Sequence, residues 1–128
     1  MTYLLDTHAF IWMASSPAKL SSSARDAMID ASATLCLSTA SLWEMQIKCG
    51  LGKLTLELPL NQLWKEAGSK NNIDLMKIEP THIWQLESLP HIHKDPFDRM
   101  LVCQAQCESL TLITRDRHIK EYDVFTLW

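Results

Sequence analysis

Short apolar runs alternate along this chain with longer amphipathic segments. Residues 3–5, 34–38, 73–78 and 111–114 are short runs rich in Leu, Ile and Thr, and a last one lies near residues 124–126. Runs of this length and composition are typical of buried strands. The pattern therefore predicts five short strands.

Between these runs, apolar residues recur at helical spacing. The spacing predicts helices over residues 8–13, 21–33, 40–49, 60–70, 80–89 and 96–109. Strands that alternate with helices form parallel βαβ units. With no repeat and no Gly-rich or Ser-rich linker, we expect a single domain over residues 1–128. Its predicted fold is a three-layer α/β sandwich with a five-stranded parallel sheet, whose ligand site lies beyond the carboxyl ends of the strands.

Composition and charge narrow the function classes. The chain has 128 residues and a formal net charge of −3, whereas a protein that binds nucleic acid through bulk charge is basic. Any nucleic-acid contact must therefore come from a local basic patch or a bound cation. No apolar run approaches the ~20 residues of a membrane span. The four cysteines form no CxxC motif, which favours a reduced, cytoplasmic protein.

Four acidic residues stand at predicted junctions between strands and helices. Asp6 ends the first strand, Glu44 lies one turn into the third helix, Asp98 begins the long helix, and Asp116 follows the fourth strand. Each acid alone has a structural explanation, since carboxylates cap helix N-termini. Ser41 and Glu44 have the spacing of a capping box, and Asp95 before a proline has that of an N-cap.

Helical spacing turns two of these acids inward. Glu44 falls on an apolar stripe of the third helix, and Asp98 on one of the long helix. The predicted stripes are Ala40, Trp43, Ile47 and Leu51 in the first case, and Leu101, Val102 and Ala105 in the second. No Lys or Arg obviously pairs with either acid, and an unneutralised buried carboxylate is costly. The sequence therefore predicts a divalent cation, with oxygen ligands that suit Mg²⁺ or Mn²⁺.

A carboxylate-held Mg²⁺ suits phosphoryl chemistry, because it activates water and neutralises the scissile phosphate. Six nearby bases are candidates to hold the flanking phosphates, unless they simply form a solvated face: Lys48, Lys53, Arg99, Arg115, Arg117 and Lys120. His8 is a weaker candidate for substrate contact. His91 and His93 are predicted to lie in the loop before the long helix. Trp43 is predicted to be in the core, and Trp64, Trp84 and Trp128 on a partner surface.

Four motifs in order resemble the PIN-domain family, and within it the VapC-like toxins of bacterial toxin–antitoxin pairs. They are LLDTHAFIW, SLWEMQIKCGLGKL, HKDPFDRMLVCQA and LITRD. The resemblance implies a metal-dependent ribonuclease with a five-stranded parallel sheet. It implies that Asp6, Glu44 and Asp98 are the acid triad, that Asp116 is the fourth acid, and that Thr114 is the supporting hydroxyl residue.

The same resemblance implies partners. It implies an RNA substrate, a homodimer, and a cognate antitoxin whose C-terminal segment blocks the site. Asp95 carries over only as a structural cap.

Two other readings stay open at this stage. A receiver-like phospho-acceptor has a similar length, but it needs an adjacent pair of acids after its first strand, and Asp6 stands alone. A catalytically silent module that binds RNA or antitoxin shares every motif. Loss of RNA cleavage on neutralising Asp98 would exclude the silent module.

Overall fold

Five parallel strands form one sheet in the computed structural model, which describes residues 1–128. The strands are β1 (Thr2–Leu5), β2 (Thr34–Ser38), β3 (Asp74–Met76), β4 (Thr111–Ile113) and β5 (Thr126–Leu127). Their order across the sheet is β3-β2-β1-β4-β5, and every neighbouring pair is parallel. The predicted fold class is confirmed.

Six helices connect the strands. They are α1 (Thr7–Ser15), α2 (Ser22–Ile29), α3 (Thr39–Gly50), α4 (Leu60–Leu63), α5 (Pro80–Gln85) and α6 (Pro96–Glu108). Ser21 caps α2 by accepting the N–H of Ala24 at 3.0 Å. None of the six combines the length and the apolar character that a membrane-spanning helix requires.

Three predicted helices end sooner than their periodicity suggests. The helix predicted over 80–89 is α-helical only to Gln85 and continues as a 3-10 turn, Leu86–Ser88. After α2 the chain turns at Asp30, whose carboxylate accepts the N–H of Ser32 at 2.9 Å and so competes with further helical bonds. The helix predicted over 60–70 is α-helical only in α4 and then widens into a π turn, Trp64–Gly68. The Trp64 ring lies over Gly68, where any side chain would collide with it.

Alternate residues of the strands pack into two separate cores, one on each face of the sheet. Leu5 and Leu37 pack with α1, α2, α3 and α4 on one face, and Leu4 and Leu112 pack with α6 on the other. Successive strand residues point to opposite faces, so both faces of β1 are buried. This burial accounts for the continuous apolar runs in the sequence.

The predicted stripe of α3 is wrong. The helix buries Ala40, Ser41, Glu44 and Met45, whereas Trp43, Ile47 and Leu51 are 61%, 37% and 64% exposed. The Trp43 ring instead meets Phe97 of α6 edge-on at 5.3 Å. Both faces of α3 carry apolar residues at helical spacing, so periodicity alone could not choose between them.

The remaining tryptophans and the cysteines divide between core and surface. Trp84 is 69% exposed, as predicted for a surface residue, but Trp64 and Trp128 pack against the first core. All four cysteines are free; Cys36 and Cys103 are buried, and Cys107 is exposed.

The strand order fixes where a ligand site forms. From β1 the chain builds outward to β2 and β3, and then returns to the other side of β1 for β4 and β5. The switch point of the sheet therefore lies between β1 and β4, where loops diverge above the carboxyl ends of the strands.

Candidate metal centre and active site

A polar cavity of about 290 Å³ lies above the carboxyl ends of β1 and β4. All four predicted acids line it. Its lining is Asp6, His8, Trp12, Glu44, Lys48, Asp95, Asp98, Arg115 and Asp116. Three larger cavities elsewhere have no comparable set of acids.

Asp6 both caps a helix and faces the cavity. Its N–H continues the sheet by donating to the carbonyl of Ile113 at 3.1 Å, and its Oδ1 accepts the N–H of Ala9 at 2.7 Å. Burial raises the pKa of this carboxyl, and a hydrogen bond with Thr114 offsets only part of that effect. Capping and site formation are therefore not alternatives for this residue.

Glu44 is only 2% exposed, and both its oxygens are hydrogen-bonded. Thr7 Oγ1 donates to Oε1 at 2.6 Å, and Lys48 Nζ donates to Oε2 at 2.6 Å. The expectation that no base pairs with this acid is wrong, because Lys48 lies one turn further along the same helix. The capping box is also absent: Ser38, not Ser41, caps α3 by accepting the N–H of Ala40.

Asp98 lies in the first turn of α6. Asp95 caps that helix as expected, with its Oδ1 accepting the N–H groups of Phe97 and Asp98 at 2.8 and 3.2 Å. Burial, followed by the nearby charges of Asp95 and Glu44, raises the pKa of Asp98 to about 7. The clustering of like charges accounts for part of this shift.

Asp116 has the opposite electrostatic balance. Its Oδ1 accepts the N–H groups of His118 and Ile119 at 2.7 and 3.2 Å, and its Oδ2 lies 3.0 Å from His93 Nε2. Burial would raise its pKa, but these hydrogen bonds outweigh burial and lower it. Thr114 supports the turn by accepting the N–H of Asp116 at 3.0 Å.

His93 belongs to this centre, although the sequence analysis placed it, with His91, only in the loop before the long helix. Its Nε2 lies between Asp116 and Asp98, 3.1 Å from Asp98 Oδ2. His91, two residues earlier, is exposed. Both lie in the loop before α6, as predicted, and nothing local distinguishes them. Only the spatial approach of the loop to β4 selects His93.

The predicted bases separate into two groups. Only Lys48 and Arg115 line the cavity, and the Arg115 guanidinium lies over the Trp12 ring at 5.3 Å from its centroid. Arg99 is buried elsewhere, where it donates to the carbonyl of Pro90 at 2.8 Å and contacts the Tyr122 hydroxyl. Arg99 therefore supports a loop and is not placed to bind substrate.

Comparison with known proteins agrees with the fold. The family model described as "PIN domain" matches residues 3–124. The chain belongs to the PIN-domain family. The family expected from the four motifs is thus confirmed. No curated protein sequence matches this PIN domain.

Solved structures with this fold are similar over nearly the whole PIN domain. VapBC2 from Rickettsia felis, bound to promoter DNA, has a TM-score of 0.75 at 15% identity, with 100% of this chain and 99% of that chain covered. DNA-bound VapBC from Salmonella typhimurium has a TM-score of 0.71 at 15% identity, with 99% of this chain and 97% of that chain covered. VapBC-1 from nontypeable Haemophilus influenzae has a TM-score of 0.63 at 16% identity, again with 99% of this chain and 97% of that chain covered.

The donor set of the PIN-domain cavity fits a hard divalent cation. Five carboxylates line it, and of the two permanently cationic side chains there only Lys48 is ion-paired with one of them. The resulting excess of negative charge contributes to the raised pKa of Asp98. Oxygen-rich sites of this kind match Mg²⁺ or Mn²⁺ better than softer cations.

Proposed function

We propose that this PIN domain, one domain over residues 1–128, is a metal-dependent endoribonuclease that hydrolyses RNA phosphodiester bonds. The observation that carries the proposal is that carboxylates from four separate segments line one cavity at the switch point of the sheet. In this proposal Asp6, Glu44, Asp98 and Asp116 hold Mg²⁺ or Mn²⁺. Bound there, the metal supplies a nucleophile and neutralises charge on the phosphate.

Residues around the acids have distinct supporting roles in this proposal. Lys48 and Thr7 fix the orientation of Glu44 through hydrogen bonds to its two oxygens. Thr114 hydrogen-bonds with Asp6 and braces the turn that carries Asp116. Arg115, stacked on Trp12 at the cavity wall, offers a cation for a flanking phosphate. His8 also lines the cavity, and in this proposal it contacts the same strand of RNA.

We further propose that the protein is the toxin of a toxin–antitoxin pair. The four sequence motifs and the similarity to VapBC structures support this assignment. Its partners would be a cognate antitoxin that covers the cavity and a second copy of this chain in a homodimer. Light scattering of the purified protein tests the dimer. Inhibition by the protein encoded next to this gene tests the antitoxin.

The decisive experiment measures cleavage of total bacterial RNA by purified, antitoxin-free protein. Reactions contain Mg²⁺ or Mn²⁺, or a chelator, and compare the wild type with Asp98→Asn. Asp123→Asn is the matched control, because Asp123 is exposed and lies outside the cavity. Calorimetric titration with Mn²⁺ gives a second readout that is independent of cleavage.

We expect discrete RNA fragments from the wild type and from Asp123→Asn in the presence of metal. Chelator and Asp98→Asn should each abolish cleavage, and Asp98→Asn should also weaken Mn²⁺ binding. Folded wild-type protein that binds RNA or antitoxin but cleaves nothing with either metal would contradict the nuclease and leave the binding-only module.

A further inference from the structure

The imidazole of His93 is placed where it could serve either as a metal ligand or as a hydrogen-bond donor. Its Nε2 and one oxygen from each of Asp98 and Asp116 lie within 4.8 Å of one another. The ring is mostly buried, with 13% of the side chain exposed. A nitrogen beside two carboxylates is a familiar arrangement for a transition metal. It is equally the arrangement of one N–H shared between two acceptors.

The second ring nitrogen decides between these roles. His93 Nδ1 lies 3.0 Å from the backbone nitrogen of Asp95, which donates its N–H to the ring. Because a backbone amide only donates, Nδ1 carries a lone pair and the proton of the neutral ring is on Nε2. A metal ligand would need the lone pair on Nε2 instead. In that tautomer the proton on Nδ1 would point at the N–H of Asp95, and the hydrogen bond between them would be lost.

We propose that His93 is a positioning residue, whose Nε2–H holds the carboxylates of Asp98 and Asp116 together, and that it is not a metal ligand. The proposal rests on the proposed metal-dependent function. Histidines bound directly to a metal use the other ring nitrogen as a donor to an outer group. His93 has the reverse arrangement, with its donor directed at the acids.

Side chains of Tyr122 and Arg99 hold the loop that carries His93 in place. The Tyr122 hydroxyl lies 3.1 and 2.8 Å from the backbone nitrogens of Ile92 and His93, and accepts both N–H groups. Arg99 donates to the same hydroxyl at 3.2 Å and to the carbonyl of Pro90 at 2.8 Å. Hydrogen bonds therefore fix both the backbone of His93 and the two nitrogens of its ring. A side chain that donates to two mutually repelling carboxylates must be held in place in this way.

Nitrogen NMR of the labelled imidazoles tests the tautomer directly. Two-bond ¹H–¹⁵N spectra at neutral pH distinguish protonated from bare ring nitrogens, in metal-free protein and after adding Mg²⁺ or Zn²⁺, a diamagnetic substitute for Mn²⁺. His82 is an internal reference: its Nδ1 accepts the N–H of Glu79 at 2.9 Å and its Nε2 lies 2.8 Å from Glu108, away from the cavity. We expect both rings to remain protonated on Nε2 throughout. Metal-induced loss of the Nε2 proton from His93 alone would overturn the proposal.

Variants test the positioning role through metal affinity. His93→Gln keeps an N–H donor, whereas His93→Leu removes it. We expect His93→Gln to bind Mn²⁺ within a few-fold of the wild type, and His93→Leu to bind it about 10–100-fold more weakly, as for other residues that orient metal ligands. His91→Leu, in the same loop but exposed, is the matched control. Circular dichroism checks that each variant is folded.

The pattern across metals separates the two roles. A positioning residue weakens Mg²⁺ and Mn²⁺ binding in parallel when it is removed, whereas loss of a nitrogen ligand weakens Mn²⁺ binding selectively. Equal losses in His93→Gln and His93→Leu, a selective loss of Mn²⁺ binding, or unchanged affinity in His93→Leu would each overturn the role of His93. A wild type that binds neither metal would instead overturn the proposed function and this inference with it.

Discussion

Glu44 shows how a buried carboxylate finds hydrogen-bond partners without a metal. It is 2% exposed and takes one hydrogen bond from Thr7 and one from Lys48. An uncompensated charge in such a place would be costly. Lys48 sits at the cavity rim with 36% of its side chain exposed, so solvent screens its contribution. The Thr7 hydroxyl is buried, and its hydrogen bond is not screened in this way.

Thr7→Val removes that buried hydrogen bond. We expect the free energy of unfolding to fall by about 1.5–3 kcal/mol, the usual value of a hydrogen bond to a charged group. Thr111→Val, at the buried start of β4 and away from the acids, should change it by less than about 1 kcal/mol. Urea denaturation at neutral pH measures both. Equal losses in the two variants would show that the Glu44 contact contributes nothing specific.

At the scale of elements, α6 and the loop before it act as one unit. Asp95 caps the helix, and the first turn of the helix directs Asp98 into the cavity. Tyr122, from the segment after β4, accepts backbone N–H groups of the loop. Two elements that are distant in sequence thus set the position of His93 relative to Asp116.

Tyr122→Phe removes the hydroxyl and leaves two backbone N–H groups and Arg99 without this acceptor. We expect a loss of about 1–3 kcal/mol in the free energy of unfolding. We also expect weaker Mn²⁺ binding, because the loop that carries His93 loosens. Tyr3→Phe is the control, since the only side-chain partner of that hydroxyl is Met1 Sδ at 3.2 Å. Thermal unfolding and calorimetry measure the two effects, and unchanged metal affinity in Tyr122→Phe would argue against coupling between the loop and the acids.

At the scale of the whole molecule, the topology places acids together that the chain keeps far apart. The carboxyl ends of β1 and β4 adjoin in the sheet, although residue 6 and residue 116 lie at opposite ends of the sequence. The cost of burying these acids together appears in the pKa values of Asp6 and Asp98, which burial raises first and the neighbouring acids raise further. That cost makes stability depend on pH and on metal.

In metal-free protein, stability should fall as pH rises from the ordinary Asp98 value of 3.8 to about 7. In this range the folded state binds more protons than the unfolded state, so raising the pH favours unfolding. Asp116, with its lowered pKa, acts in the opposite sense, and only below its ordinary value. Asp98→Asn should flatten the decline toward pH 7, as measured by melting temperature in the presence of chelator. A decline of the same slope in Asp98→Asn would contradict this assignment.

Metal should reverse this loss. Mg²⁺ and Mn²⁺ bind ionised carboxylates and compete with protons, so we expect them to raise the melting temperature more at about pH 8 than at about pH 5. Differential scanning calorimetry at saturating metal measures the two increments. Equal increments, or none at either pH, would count against a preformed acidic metal site.

Much of the architecture could be predicted because its signals are local. The run at residues 34–38 coincides with β2, and the Asp95–Pro96 pair marks the start of α6. Apolar runs and helix caps depend on residues that are close together in the sequence, so short stretches of sequence are enough to recognise them. The four acids could also be placed, because Asp6 and Asp116 follow strand ends, and Glu44 and Asp98 lie in the first two turns of helices. The buried face of α3 could not, since that choice depends on what packs against it.

The sequence by itself determined the α/β pattern, the family motifs and the four acids at strand and helix boundaries. The Glu44–Lys48 pair lies within one helix, at a spacing that the sequence contains. Only the tertiary structure decided that Arg99 braces a loop, and that His93 rather than His91 reaches the acids. These outcomes depend on distances between segments that are separated along the chain. Strand order and helix packing set those distances, and no local pattern encodes them.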